Sequence, residues 1–184
     1  MTLTKTPICN FGEKAKDFNL LSTENKKVSL DEVKGENGTL IMFICNHCPY
    51  VKAVIKEIVQ DVKFLESQGI KSAAIMSNDV KNYPEDSFEN MISFAKLHNF
   101  SFPYLIDDTQ KVAKDYDAVC TPDFFGYNKN LELQYRGRIR ELKDLEPVSQ
   151  GDSDLRTAMK LVAKSGIGPK NQIPSMGCNI KWFK

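Results

Sequence analysis

Leu40-Ile41-Met42-Phe43-Ile44-Cys45-Asn46-His47-Cys48-Pro49-Tyr50 is an unbroken apolar run that ends on a C-x-x-C pair. Strand-forming residues without a polar interruption, with Gly38 behind them, predict a buried strand. From Val51 the apolar residues return at helical spacing, as Val51, Val54, Ile55, Ile58, Val59, Val62 and Leu65. Lys52, Lys56, Glu57, Asp61 and Lys63 take the opposite face, so the strand runs into an amphipathic helix with the two cysteines at the junction.

That position has chemical consequences. A helix N-terminus carries unpaired N–H groups and the positive end of the dipole, and both favour a thiolate over a thiol. The thiolate is the nucleophile in cysteine chemistry. His47, between the cysteines, is expected to lower the thiol pKa further as a cation or hydrogen-bond donor.

A C-x-x-C can also be half of a zinc site, which needs a second pair of ligands. Cys9, Cys120, Cys178 and His98 are scattered singly, and haem attachment is excluded because Pro49 stands where C-x-x-C-H needs histidine. No metal and no cofactor are expected.

The length of 184 residues fits one domain over residues 1–184, with 165–184 as an extended tail. Lys and Arg total 25 against 24 for Asp and Glu, and the charges are interleaved. No electrostatic footprint for nucleic acid or an anionic membrane results. Met1 to Pro7 lacks an apolar signal core and no apolar run approaches a membrane span, so a cytoplasmic location is expected. Thiols are kept reduced there, and five cysteines, an odd count, fit poorly with a disulfide framework.

In chain order, Phe18–Leu21 and Val28–Leu30 read as a small hairpin, and Gly69 ends the helical pattern before a core strand over Ile70–Met76. Strand, helix and strand over this length imply parallel pairing with a right-handed crossover. Ser77–Asp86 is a polar loop, and Asp86 or Ser87 is expected to cap the helix carrying Phe88, Met91, Ile92, Ala95 and Leu97. His98 at its far end is expected as a structural residue favoured there as a cation. A third strand at Phe102–Ile106, a short helix after Asp107, then Ala118–Pro122 and a hairpin around Asn128-Lys129-Asn130 follow. Asp152–Ala163 reads as the last helix. Cys9 has no evident role.

A C-x-x-C at a strand-to-helix junction, followed by Thr121-Pro122 just before a β-hairpin and a last helix, resembles the thioredoxin fold. The resemblance implies a three-layer α/β/α sandwich with a mixed central sheet, and a cis Pro122 packed against the dithiol. The Phe102–Gly137 segment, the helix around residues 87–99 and Cys48-Pro49 are similar to the peroxiredoxin or AhpC/TSA branch, whose N-terminal hairpin and inserted helix are expected here. A closer resemblance is to the group in that superfamily with a Cys-Asn-His-Cys-Pro-Tyr-Val site, matched at Cys45–Val51. The same group has a Ser-Asn-Asp loop with a later Tyr-Pro and a Gly-Cys-x-Ile-Lys-Trp tail, matched at Ser77–Pro84 and Gly177–Trp182.

Departures from the peroxiredoxin pattern bear on the chemistry. In P-x-x-x-T-x-x-C with Cys48 as the last residue, Ile41 replaces the proline and Cys45 the threonine, so the hydroxyl that orients peroxide is missing from that place. The resemblance therefore implies thiol–disulfide exchange ahead of peroxide reduction at Cys48, and either ahead of a non-catalytic binding module. The expected partners are a protein or small-molecule disulfide and a thiol reductant. Cys45, as the more exposed cysteine, is expected to attack and Cys48 to resolve, with His47 tuning the pair. Thr121 and Pro122 would form the surface where an extended substrate backbone docks. A stabilised thiolate makes the dithiol harder to oxidise, which predicts a reduction potential above the value of about −270 mV for thioredoxin. For Cys120 two readings stand, a buried apolar residue or a third redox thiol. For Cys178 they are a resolving thiol that swings to the site or a residue packed beside Trp182.

Overall fold

The computed structural model describes residues 2–184. Its elements are β1 (Leu3–Lys5), β2 (Asn19–Ser22), β3 (Lys27–Ser29), β4 (Gly38–Phe43), α1 (Pro49–Ser67), β5 (Ile70–Met76), α2 (Phe88–Leu97), β6 (Tyr104–Ile106), α3 (Lys111–Asp115), β7 (Cys120–Thr121), β8 (Asp123–Asn128), β9 (Leu133–Tyr135), β10 (Leu142–Lys143), β11 (Glu146–Pro147), α4 (Asp154–Ser165) and β12 (Met176–Asn179). The central sheet has the order β3-β2-β6-β5-β4-β8-β9. Strands β4, β5 and β6 are parallel to one another, and the flanking strands are antiparallel.

Every residue of β4 is buried, which is why the strand reads as a continuous apolar run without alternation. Leu40 and Met42 point into a core shared with Val51, Val54, Ile55 and Ile58 of α1 and with Leu155, Met159 and Val162 of α4. Ile41 and Phe43 point to the opposite core, with Val112 and Ala113 of α3, Phe18 and Ile180. Helices therefore cover the mixed sheet on both faces, as expected. Among the described residues no helix is long and apolar enough to cross a membrane.

Several boundaries follow from capping. Gly69, with φ of +77°, takes the left-handed conformation that stops α1. The Ser153 hydroxyl accepts from the Arg156 amide at 2.9 Å and starts α4 two residues into the expected range. Ser87, not Asp86, caps α2 by accepting from the Asn90 amide. His98 ends α2, but burial and the nearby Lys56 lower its pKa, so the cation expected there is disfavoured.

The tail and the Thr-Pro segment depart most from the sequence reading. Strand β7 does not enter the central sheet; it forms a separate three-stranded sheet of order β1-β12-β7. The tail thus returns as a strand between the start of the chain and the residues just before Pro122. Its register sets Cys178 opposite both Leu3 and Thr121.

Candidate redox site

Cys48 is the N-cap residue of α1, with Pro49 in the first turn, and Cys45 lies in the connection from β4. The Thr121–Pro122 peptide bond is cis. Thr121 supplies two contacts to the pair: its hydroxyl lies 3.5 Å from Cys45 Sγ, and its carbonyl oxygen 3.2 Å from Cys48 Sγ. A hydroxyl therefore faces the cysteines from β7, although the sequence pattern lacks one at position 45.

Exposure does not separate the two cysteines: both are buried, Cys45 at 1% and Cys48 at 0% exposed. The two thiols hydrogen-bond to each other, and their pKa values are driven apart. Cys48 is pushed down to about 5, first by the hydrogen bond from Cys45, which outweighs desolvation, and then by Cys178, the Val51 amide and Thr121. Cys45 is pushed up by giving that hydrogen bond, by burial and by the Asp86 carboxylate. The donors that converge on the N-cap cysteine, the Val51 amide and the neighbouring thiols, favour the thiolate there, while burial and the Thr121 carbonyl oppose it.

His47 departs from its expected part. Its Nδ1 is 2.6 Å from Asp86 Oδ2 and 4.0 Å from Cys45 Sγ. The Asp86 hydrogen bond is the main reason its pKa is raised, and the carboxylate offsets the imidazolium charge that Cys45 would otherwise feel. The ring stacks on Tyr83 at 5.8 Å with 7° between the planes.

Asp86 is the residue that local sequence reading misses. Its Oδ1 accepts from the Asn46 amide at 2.8 Å and the His47 amide at 3.3 Å. Its Oδ2 takes His47 Nδ1 and Asn78 Nδ2, the latter at 2.8 Å. Burial raises its pKa, yet donation by His47 and Asn78 outweighs that and the net shift is downward. Asn46, between the cysteine and the histidine, is fixed by the Tyr104 hydroxyl, which donates to its Oδ1 at 2.9 Å. The signal for this network is the density of Asn and Asp in Ser77–Asp86, a segment without apolar period.

The same loop holds the tail. The Lys181 amide donates to Asn78 Oδ1 at 2.9 Å, and the Asp79 amide donates to the Lys181 carbonyl at 2.8 Å. Cys178 Sγ comes to 3.1 Å from Cys48 Sγ. No swing is needed, and Trp182 is partly exposed. Cys120 is buried and its pKa is driven far up by burial, with Sγ 3.7 Å from the Pro122 carbonyl; it behaves as an apolar residue. Cys9 is partly buried, its pKa raised to about 11 by desolvation first.

Behind Pro122, Asp123 pairs with Arg136 at 3.1 Å, both buried, and the Val119 amide donates to the same carboxylate. This ties the start of β8 to β9 and anchors the Thr-Pro turn. A cleft of about 490 Å³ opens beside Pro122 and Tyr50, lined also by Leu142, Ser175 and Met176. The cysteines do not line it.

Cys45 Sγ, His47 Nδ1 and an Asp86 oxygen lie within 4.8 Å of one another and are the grouping among the described residues that could ligate an ion. The 2.6 Å His47–Asp86 contact and the two backbone amides on Asp86 already use these atoms, and three ligands without a fourth fall short of a structural zinc set.

Residues 11–142 match the AhpC/TSA family. No curated protein matches the chain. Among solved structures, an uncharacterized conserved protein from Geobacillus kaustophilus is 39% identical over 100% of this chain and 97% of that one, with a TM-score of 0.94. A hypothetical protein from Sinorhizobium meliloti is 35% identical over 99% of each chain, with a TM-score of 0.90. A thiol:disulfide interchange protein of the thioredoxin family from Chlorobium tepidum is 15% identical over 85% of this chain and 97% of its own, with a TM-score of 0.61. That last likeness is one of fold, which is thioredoxin-like.

Proposed function

Because the chain belongs to the AhpC/TSA family, we propose that it is a thiol-based oxidoreductase in which Cys45 and Cys48 cycle between dithiol and disulfide. The observation that carries this reading is the geometry of two buried cysteines at the start of α1, with the Thr121 hydroxyl 3.5 Å from Cys45 Sγ, its carbonyl oxygen 3.2 Å from Cys48 Sγ, and a cis bond to Pro122 beside them. In thiol–disulfide exchange the Cys48 thiolate attacks one sulfur of a substrate disulfide and expels the other as thiolate. Cys45 then attacks Cys48 Sγ, forms the Cys45–Cys48 disulfide and gives its proton to the departing thiol. This reverses the roles expected from exposure. A thiol reductant returns the pair to the dithiol. Thr121 serves as a hydrogen-bonding group at the sulfurs, Pro122 as the wall behind them, and His47 as the link that holds the Cys45–Cys48 connection to Asp86.

A second reading, peroxide reduction at Cys48, is favoured by burial. Both sulfurs are nearly inaccessible, a small oxidant reaches such a thiolate more readily than a protein does, and the Thr121 hydroxyl stands nearby. Stopped-flow mixing of the reduced protein with oxidised glutathione, and separately with hydrogen peroxide, tests the two. Exchange that is lost in Cys48→Ser, and that yields a Cys45–Cys48 linked peptide in wild type but none in Cys45→Ser, supports the first reading. Fast second-order oxidation by peroxide, lost only in Cys48→Ser, makes peroxide the substrate. Inert Cys48 in both experiments refutes both.

A further inference from the structure

Strand β12 lies along β7 with Cys178 opposite Thr121, the residue before cis Pro122. Gly177 permits this close approach, since a Cβ there would stand 2.0 Å from the Thr121 carbonyl oxygen. The edge on which an extended substrate backbone was expected to dock is therefore occupied by the protein's own tail. That tail presents a cysteine: Cys178 Sγ is 3.1 Å from Cys48 Sγ. A disulfide bond is about 2.05 Å long, so a relative movement of about 1 Å closes the pair. Pairing of β12 with β1 on its other side, and the Lys181–Asn78 bond beyond it, hold the strand in place.

We infer that Cys178 is a third redox thiol, which resolves a mixed disulfide formed at Cys48 and yields a Cys48–Cys178 disulfide within the chain. This rests on the thiol exchange proposed above, and adds an internal partner to it. Once a substrate sulfur R–S is bonded to Cys48, Cys178 attacks Cys48 Sγ. The Cys48–S–R bond breaks, R–S⁻ leaves with the proton given up by Cys178, and Cys178 becomes oxidised as the substrate thiol is reduced. Cys45 and Cys178 thus compete for the same sulfur from two sides.

The charges favour this order of events. In the reduced protein the Cys178 thiol is pushed up to about 12, by desolvation first and then by its hydrogen bond to Cys48 and the charge there. Capture of a substrate makes Cys48 neutral and removes both of the latter causes, so the Cys178 pKa falls, with desolvation still raising it and Lys181 drawing it down. The third thiol is activated at the step that needs it.

The test is disulfide mapping by mass spectrometry after oxidised glutathione is added to reduced wild type, Cys45→Ser, Cys45→Ala and Cys178→Ser. The expected result is that both Cys45 variants lose the glutathione adduct and gain a Cys48–Cys178 linked peptide. Wild type gives Cys45–Cys48 and Cys48–Cys178 peptides together, and Cys178→Ser gives only the former. A stable Cys48–glutathione adduct in both Cys45 variants, with wild type giving Cys45–Cys48 alone, overturns the role of Cys178 and leaves the dithiol reading intact. No adduct and no disulfide at Cys48 in any of the proteins overturns both. The wild-type map carries the test even if a Cys45 variant does not fold.

Discussion

Replacing Asp86 by asparagine tests whether one buried carboxylate organises the site. The wild-type oxygens take four donors: the amides of Asn46 and His47, His47 Nδ1 and Asn78 Nδ2. In Asp86→Asn the remaining oxygen can keep the two amides, but the new NH2 faces His47 Nδ1 and Asn78 Nδ2, donor against donor. Two stranded buried donors at about 1–3 kcal/mol each give a loss of roughly 2–6 kcal/mol. The loss depends on pH in a defined direction. Asp86 raises the His47 pKa, so the pair's contribution is fully present below the unfolded histidine value of about 6.5 and fades as pH rises through the raised folded value. It also fades in acid, as pH falls through the depressed pKa of Asp86. In the variant at high pH, a neutral His47 can accept at Nδ1 from the new amide and recover one bond. Urea unfolding of both proteins across this range, with NMR titration of His47, reads all of it. The account expects the largest loss between about pH 5 and 6.5, a smaller one in base, and a lower His47 pKa in the variant. A loss under about 0.5 kcal/mol throughout, within the scatter of ordinary surface substitutions, or an unmoved His47 pKa would refute the reasoning.

Three further outcomes are expected. Ultraviolet absorbance of the thiolate should titrate with a midpoint of about 5 in wild type, and this transition should vanish in Cys48→Ser and survive in Cys45→Ser at a higher pH, where one donor is weakened. Arg136→Met should cost about 3–5 kcal/mol in urea unfolding near pH 7, because it strands the buried Asp123 carboxylate. Burial already raises Asp123 to about 6, so its contribution to stability is lost as pH rises through that value, and the penalty of Arg136→Met should shrink in acid where the carboxyl is protonated. Gly177→Ala drives a Cβ against the Thr121 carbonyl and should cost about 1–3 kcal/mol as an overpacked contact, with faster amide exchange in β12 as the sign that β12 and β7 have separated.

The parts of the fold written in short-range pattern were the legible ones. The Leu40–Ile44 run and the helical spacing from Val51 specify β4 and α1 without help from distant residues, and Thr121-Pro122 before a hairpin marks the turn that packs on the cysteines. What the sequence left open depends on long-range pairing. Met176-Gly177-Cys178-Asn179 has no alternation or length to announce a strand, and it becomes β12 because β1 and β7, at far points of the chain, offer it two edges. That pairing, and not a local motif, delivers Cys178 to Cys48. Asp86 looked like a helix cap because Ser and Asp next to a helical pattern usually are; its four donors come from two loops brought together by the fold. That both Cys45 and Cys48 are buried could not be read from the motif, because Thr121, β12 and the Asp86 loop cover the site from elsewhere.

The central claim is that Cys45 and Cys48 form a redox couple whose reduced form is stabilised by the Cys48 thiolate. Equilibration of the protein in glutathione buffers of graded ratio, with alkylation and mass mapping of each cysteine, measures it directly. The account predicts that a Cys45–Cys48 linked peptide appears as the two alkylated thiols are lost, with a midpoint above about −270 mV. Cys45 and Cys48 alkylated as separate thiols at every ratio, or a linked pair with a midpoint below that value, would contradict it.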